Sequence, residues 1–204
     1  MATQAEFLAN LQDNAVESTP MPALAQPSAI AEPLANVFLQ VLESVGGVAG
    51  NGDSLTAVQG LVDELIGAGK QVLSLAAGIE GNRDPAAAND PHGLADLDYT
   101  VAPARLAVAE NAAVWISAED LVQRVAPFIC EHLITVVAAE RLVGTMSDAI
   151  TAIGRFGGTW GAFVSGPSKT ADIEQALVMG AHGARTMTVF LLGEPVSAYP
   201  ADDE

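Results

Sequence analysis

The chain has 204 residues, enough for one domain with a sizeable core. Its 25 acidic residues outnumber its 8 Lys and Arg residues, and the net charge of −17 repels nucleic acid and acidic membranes. The single cysteine, Cys130, excludes an internal disulfide and cannot by itself hold an iron–sulfur cluster. No apolar run is long enough for a membrane span, and the first residues lack the positive charge of a secretory signal. We therefore expect a cytoplasmic protein.

Residues 1–33 are predicted to form an N-terminal arm. A turn or two of helix is expected around Phe7, Leu8 and Leu11, followed by an extended segment rich in Ala and Pro. Such an arm is either mobile or docked on another subunit, and docking would imply a homo-oligomer. Residues 34–204 are predicted to form one α/β domain.

The first part of that domain alternates helices and strands. Apolar residues at three- and four-residue spacing predict a helix from Leu34 to Val45. A second helix is expected to be capped by Asp53 or Ser54 and to end at Gly67, and residues 71–76 are predicted to form a buried strand. This alternation is typical of an open, mostly parallel sheet flanked by helices.

The middle of the chain has shorter predicted elements. The segment 78–97 has no periodicity and two Asp-Pro steps, which indicates a loop. The elements predicted after it are strands at 99–101, 105–109 and 113–117, a helix at 118–128, a strand at 131–137 and a helix at 139–153.

The segment from Gly158 to Leu192 is predicted to be a β-α-β unit around which the domain is organised. Its predicted parts are a strand at 160–164, a loop at 165–170, a helix at 171–181, a turn at 182–185 and a strand at 187–192. A small, polar loop between a strand and a helix is where open α/β sheets usually bind ligands.

The loop residues predicted to bind a ligand are Ser165, Gly166, Ser168, Lys169 and Thr170. Small residues would let the backbone approach the ligand, hydroxyls would donate hydrogen bonds, and Lys169 would attract an anion. The alternative is that Ser168 or Thr170 only caps the predicted helix, with acidic residues complementing its dipole.

His182 and Arg185 are predicted to lie at the other end of the same helix, where His182 would handle a proton and Arg185 would bind a carboxylate. The alternative is a structural turn with Gly183 as the helix C-cap. A helix of about a dozen residues spans roughly 16 Å. Both ends could then contact one small ligand only in a site shared between subunits or completed by folding back.

Glu110 is a candidate catalytic residue because it is predicted at a tight turn between two buried strands. It could act as a base, a nucleophile or a ligand contact, or it could be a polar turn residue that points to water. Cys130 and His132 lie close together in sequence, but no third ligand is near, and no metal site is predicted.

Two motifs in the last third of the sequence resemble those of a known family. The run Ser165-Gly-Pro-Ser-Lys-Thr-Ala-Asp-Ile-Glu174 is followed by Val178-Met-Gly-Ala-His-Gly-Ala-Arg185, in which Ala184 replaces a proline of the family pattern. Together with Ala107-Val-Ala-Glu110, these motifs resemble the LUD-domain family, in particular its lactate-utilisation proteins of the C type.

The resemblance implies a fold like that of ribose-phosphate isomerases, glucosamine-phosphate deaminases and coenzyme A transferases. It also implies a subunit that binds no cofactor itself and supports oxidation of L-lactate to pyruvate beside iron–sulfur subunits. Two other functions remain open: a binding or regulatory module for a small organic acid or phosphorylated metabolite, and a coenzyme A transferase that acts through Glu110. The last rests on the likeness of Ala109-Glu-Asn-Ala112 to the S-E-N-G turn of such enzymes.

Overall fold

The computed structural model describes residues 3–16, 19, 30, 32–87, 90–156, 160–173 and 176–197. The helices are α1 (Gln4–Asp13), α2 (Leu34–Ser44), α3 (Leu55–Gly67), α4 (Ala126–Ile129) and α5 (Met146–Phe156). The strands are β1 (Val48–Ala49), β2 (Val72–Ser74), β3 (Tyr99–Pro103), β4 (Leu106–Val108), β5 (Ala113–Ser117), β6 (His132–Ala138), β7 (Leu142–Val143), β8 (Gly161–Val164), β9 (Lys169–Ile173), β10 (Ala176–Met179) and β11 (Thr186–Leu192).

The centre of the fold is a five-stranded parallel sheet in the order β1-β11-β6-β3-β2. Helix α2 buries Phe38 and Leu42 against one face, and α3 buries Val58 and Val62 against the other. Each helix presents one apolar stripe, which is why the three- and four-residue spacing predicts both. The open α/β fold with a mostly parallel sheet flanked by helices is confirmed.

A second sheet of four strands, β7-β4-β5-β8, packs beside the first and mixes parallel and antiparallel pairs. The chain crosses from the parallel sheet into the mixed sheet twice, from β3 to β4 and from β6 to β7. At the first crossing, the Ala104 amide donates to the Val136 carbonyl (2.8 Å) and the Arg105 amide donates to the Trp115 carbonyl (3.0 Å). These bonds hold the two sheets together at one edge.

Two predicted helices are shorter than expected. The segment 118–128 contains a 3₁₀ turn at Ala118–Asp120 and then only the four-residue α4. The predicted helix at 139–153 begins at Met146, because Leu142 and Val143 pair with β4 as strand β7. Thr145 and Asp148 cap each other there, with the Thr145 hydroxyl donating to Asp148 (2.8 Å) and accepting from its amide (3.2 Å). That reciprocal cap marks the start of the helix.

The predicted β-α-β unit is wrong at its centre. Residues 169–173 and 176–179 form an antiparallel hairpin, β9–β10, in place of the helix predicted at 171–181. Its flanking strands, β8 and β11, are confirmed, but they belong to different sheets. His182 and Gly183 therefore do not end a helix, and Ser168 and Thr170 do not cap one.

The N-terminal helix α1 confirms the helical turn predicted around Phe7. Its start carries a capping box between Thr3 and Glu6, and its apolar side chains Phe7, Leu8 and Leu11 are exposed. Most of the extended segment predicted after it, residues 17–18, 20–29 and 31, lies outside the described residues. Within the described part of the chain, no helix is both long and apolar enough to cross a membrane.

Candidate functional site

The hairpin brings the two halves of the sequence motif together. The Ser168 amide donates to the Ala184 carbonyl (2.8 Å), and the Gly180 amide donates to the Ser168 carbonyl (2.9 Å). A hairpin starts and ends at the same place, whereas a helix separates its ends. The expected separation of about 16 Å between the loop and the His182 turn is therefore wrong, and both lie at the amino end of β11.

A cavity of about 230 Å³ lies where these segments meet. Its polar side chains are Ser165, Ser168 and His182, and Gly166 also contributes to the wall. The remaining lining residues are mostly apolar, and they include Pro127, Phe128, Leu133, Phe163 and Met187.

The backbone conformation at position 166 requires a glycine. Its φ is +66°, and a Cβ at this position would lie 2.6 Å from the Val45 carbonyl oxygen. A side chain would therefore be strained in its backbone and would collide with the end of α2.

Arg185 lies in a neighbouring groove that shares His182 and Gly183 with this cavity. Its guanidinium pairs with Glu131, and its amide donates to the Glu131 carbonyl (2.8 Å). Asp96 and Asp98 also line the groove. A carboxylate ligand would have to displace Glu131 in an acidic setting, so this groove is a poor site for an anion.

Lys169 lies outside both cavities and holds the end of helix α2. Its ammonium donates to the Val45 carbonyl oxygen (2.6 Å), where a positive charge complements the helix dipole. Thr170 lies in β9 opposite Val178. Of the five predicted loop residues, the structure thus brings Ser165, Gly166 and Ser168 to the cavity.

Glu110 occupies the tip of the β4–β5 hairpin, as the sequence predicts, and its side chain is exposed. Its Oε1 accepts a hydrogen bond from the Met146 amide (2.7 Å), so it caps the first turn of α5. The tip is connected to the motif loop, because the Ser165 hydroxyl donates to the Asn111 carbonyl (2.6 Å).

The sequence does not predict a cluster of three side chains, Tyr99, His132 and Thr186, at the amino ends of the parallel strands. His132 stacks on Tyr99, with ring centroids 4.6 Å apart, and its Nδ1 lies 2.8 Å from the Thr186 hydroxyl. Burial lowers the pKa of His132 despite the opposing effect of Glu131. Each residue begins one of three adjacent parallel strands, and their proximity follows once the strand order is known.

Cys130 is buried, and its thiol lies 3.7 Å from the Pro127 carbonyl. Burial is the main cause that raises the pKa of this thiol, so it is a poor thiolate ligand. Among the described residues, no group of three or more His, Cys, Asp or Glu side chains is arranged to hold a metal ion.

The fold and the motif place the chain in a class of α/β proteins with an open parallel sheet and an appended mixed sheet. Residues 47–192 match the LUD domain, and the chain belongs to the LUD domain family, which is associated with lactate utilisation in general. The chain is also similar to the crystal structure of a DUF162 family protein from Deinococcus radiodurans, at 18% identity and a TM-score of 0.56. That match covers 78% of this chain and 96% of the other, and it supports the fold. No curated protein matches the sequence.

Proposed function

We propose that the chain is a cluster-free subunit of a lactate-utilisation system, which supports oxidation of L-lactate to pyruvate beside iron–sulfur subunits. The observation that carries the proposal is the structure built by the family motif. Among the residues that the structure describes, its strands β9 and β10 pair with each other and with neither larger sheet. On this hairpin Leu177 is 66% exposed and Met179 is 39% exposed.

An isolated two-stranded hairpin is marginally stable in water, and exposed apolar side chains on it favour contact with a partner. The hairpin is anchored at its base by Lys169 on α2 and by Ser168 on the turn before β11. The motif thus presents an apolar surface on a fixed base. The single cysteine cannot supply the thiolates of a cluster, so electron transfer would belong to the partner.

The second candidate function is a binding module for a small organic acid, with no turnover. In that case the cavity beside Ser165 and Ser168 would hold the ligand, and His182 would be the group able to exchange a proton. The third candidate, acyl transfer through Glu110, would require the carboxylate to leave the Met146 amide.

The experiment is deletion of the gene together with affinity purification of the tagged chain from cells grown on L-lactate. We expect the deletion to abolish growth on L-lactate and the tagged chain to retain partners that carry iron–sulfur clusters. Growth that is unaffected by the deletion would contradict the subunit role and favour the binding module.

The hairpin surface is tested in the same cells with Leu177→Asp. We expect this substitution to release the partners, because it places a charge within the apolar surface. Ile150→Asp is the matched control, since Ile150 is also exposed (56%) but lies on α5, outside the hairpin. Equal loss of partners in both variants would contradict the assignment of the hairpin.

A further inference from the structure

A further cavity of about 230 Å³, the arginine cavity, is lined by Arg105 and Arg141 and lies at the opposite edge of the parallel sheet from the family motif. Its walls are the last residue of β6 and the segments after β3, β6 and β11, which are three adjacent parallel strands. The carboxyl ends of neighbouring parallel strands meet at one edge, which is where open α/β sheets bind ligands. The lining residues are Ala104, Arg105, Ala138, Glu140, Arg141, Pro195 and Val196.

Arg105 is held rigidly in this wall. Its Nε and Nη2 donate to the two carboxylate oxygens of Asp120, at 2.6 and 2.7 Å. Asp120 is itself buried, and the Arg105 amide is fixed by the Trp115 carbonyl. A bidentate pair of this kind fixes the plane of the guanidinium, so one wall of the cavity holds a guanidinium of fixed orientation whose charge is paired with Asp120.

Arg141 supplies the second positive group from the next crossing between the sheets. Its side chain is 57% exposed, and its Nε lies 3.8 Å from Glu140, beyond hydrogen-bond range. Such a surface pair contributes little to stability. A carboxylate that enters the cavity can therefore replace Glu140 as the partner of Arg141 at small cost.

The charge of the cavity and the apolar residues that line it indicate the chemical class of ligand that it can bind. Two of the chain's 8 Lys and Arg residues meet here, against the carboxylates of Asp120 and Glu140. The local charge is therefore close to zero within a chain of net charge −17, which favours a monoanion over a dianionic phosphate. The other four lining residues, Ala104, Ala138, Pro195 and Val196, are apolar and suit a short hydrocarbon body.

We infer that this cavity binds a small organic monocarboxylic acid, with its carboxylate on Arg141 and its apolar part against Ala138 and Val196. The site is separate from the cavity beside Ser165, Ser168 and His182, and it needs no partner subunit. The inference therefore does not depend on the proposed function. Binding is measured on the isolated chain, whereas the proposed function is measured by growth and by partner recovery, so the two can fail separately.

The test is a calorimetric titration of the full-length chain with L-lactate, with propionate and with inorganic phosphate. We expect both carboxylates to bind more tightly than phosphate. Arg141→Gln should weaken carboxylate binding by about tenfold or more, since it removes a charge-assisted hydrogen-bonding partner. Arg124→Gln is the matched control, because Arg124 is exposed and lies over Trp160, outside this cavity.

Glu140→Gln keeps the inference testable if Arg141→Gln disturbs the fold. Removal of the competing carboxylate should tighten carboxylate binding severalfold, and a gain in affinity cannot come from misfolding. The inference is overturned if L-lactate and propionate do not bind at tens of millimolar. It is also overturned if phosphate binds more tightly than both, or if Arg141→Gln binds them as well as the wild type does.

Discussion

Replacement of Glu110 by Ala tests whether this glutamate is structural or catalytic. The carboxylate accepts the Met146 amide at 2.7 Å, at the positive end of α5. Loss of a helix cap costs about 1 kcal/mol, within a range of roughly 0.5–2 kcal/mol. Glu110→Gln keeps an oxygen acceptor and loses only the charge, so it should cost about 0.3–1 kcal/mol. We therefore expect Glu110→Ala to be the more destabilising of the two.

Thermal unfolding measures these losses, since 1 kcal/mol lowers the Tm of a chain of this size by about 2–4 °C. Glu194→Ala is the matched variant, because the Glu194 carboxylate caps the Leu55 amide of α3 in the same way, at 2.8 Å. Both alanine variants should lose similar stability. Incubation with an acyl-CoA followed by hydroxylamine should trap no adduct at Glu110. An adduct there, or a Glu110→Ala variant as stable as the wild type, would refute the structural assignment.

Three further substitutions follow from the backbone and from burial. Gly60→Ala should raise the free energy of unfolding by about 0.5–1 kcal/mol in urea titrations, because Gly60 is exposed within α3 and its Cβ would meet nothing within 4 Å. Gly166→Ala should lower it by about 1 kcal/mol or more, because of its positive φ and the nearby Val45 carbonyl; an unchanged midpoint would contradict that geometry. Burial lowers the pKa of His132 below its ordinary value of 6.5, so acidification through that value favours the unfolded state, which binds the proton more readily. His132→Gln should therefore lose less stability than the wild type between pH 7 and pH 5, and equal losses would contradict the burial effect.

The elements that the sequence predicts well are those whose local signals agree with their packing. Helix α3 has an apolar stripe, and the Ser54 hydroxyl accepts the Ala57 amide at its start, as expected of a cap. The turn at Glu110 and Asn111 is also predictable, because short apolar runs on both sides leave few residues to connect them. In these places tertiary structure selects what the local sequence already favours.

The hairpin β9–β10 is not predictable from the local sequence, because that sequence is compatible with both a helix and a strand. The residues Glu, Gln, Ala and Leu at 174–177 favour a helix in isolation, and a short apolar run does not distinguish a helix from a strand. The structure resolves the ambiguity through long-range pairing, since the Ser168 amide pairs with the Ala184 carbonyl and brings both ends of the segment together.

The arginine cavity cannot be predicted from the local sequence either, for a related reason. Arg105 and Arg141 are 36 positions apart in the sequence, and only the strand order brings the ends of β3 and β6 together.

The parallel sheet separates the two candidate sites by a distance that one small acid cannot span. Strand β11 begins beside the His182 turn and ends at the arginine cavity, and its 7 residues at about 3.3 Å each cover roughly 20 Å. An acid the size of lactate bound at Arg141 therefore cannot contact His182 in the same subunit. The proposed partner surface and the proposed acid site therefore lie apart, so Leu177→Asp should release the proposed partner without changing lactate affinity. Arg141→Gln should do the reverse, and a variant at either edge that lost both would show that the sheet couples the two sites.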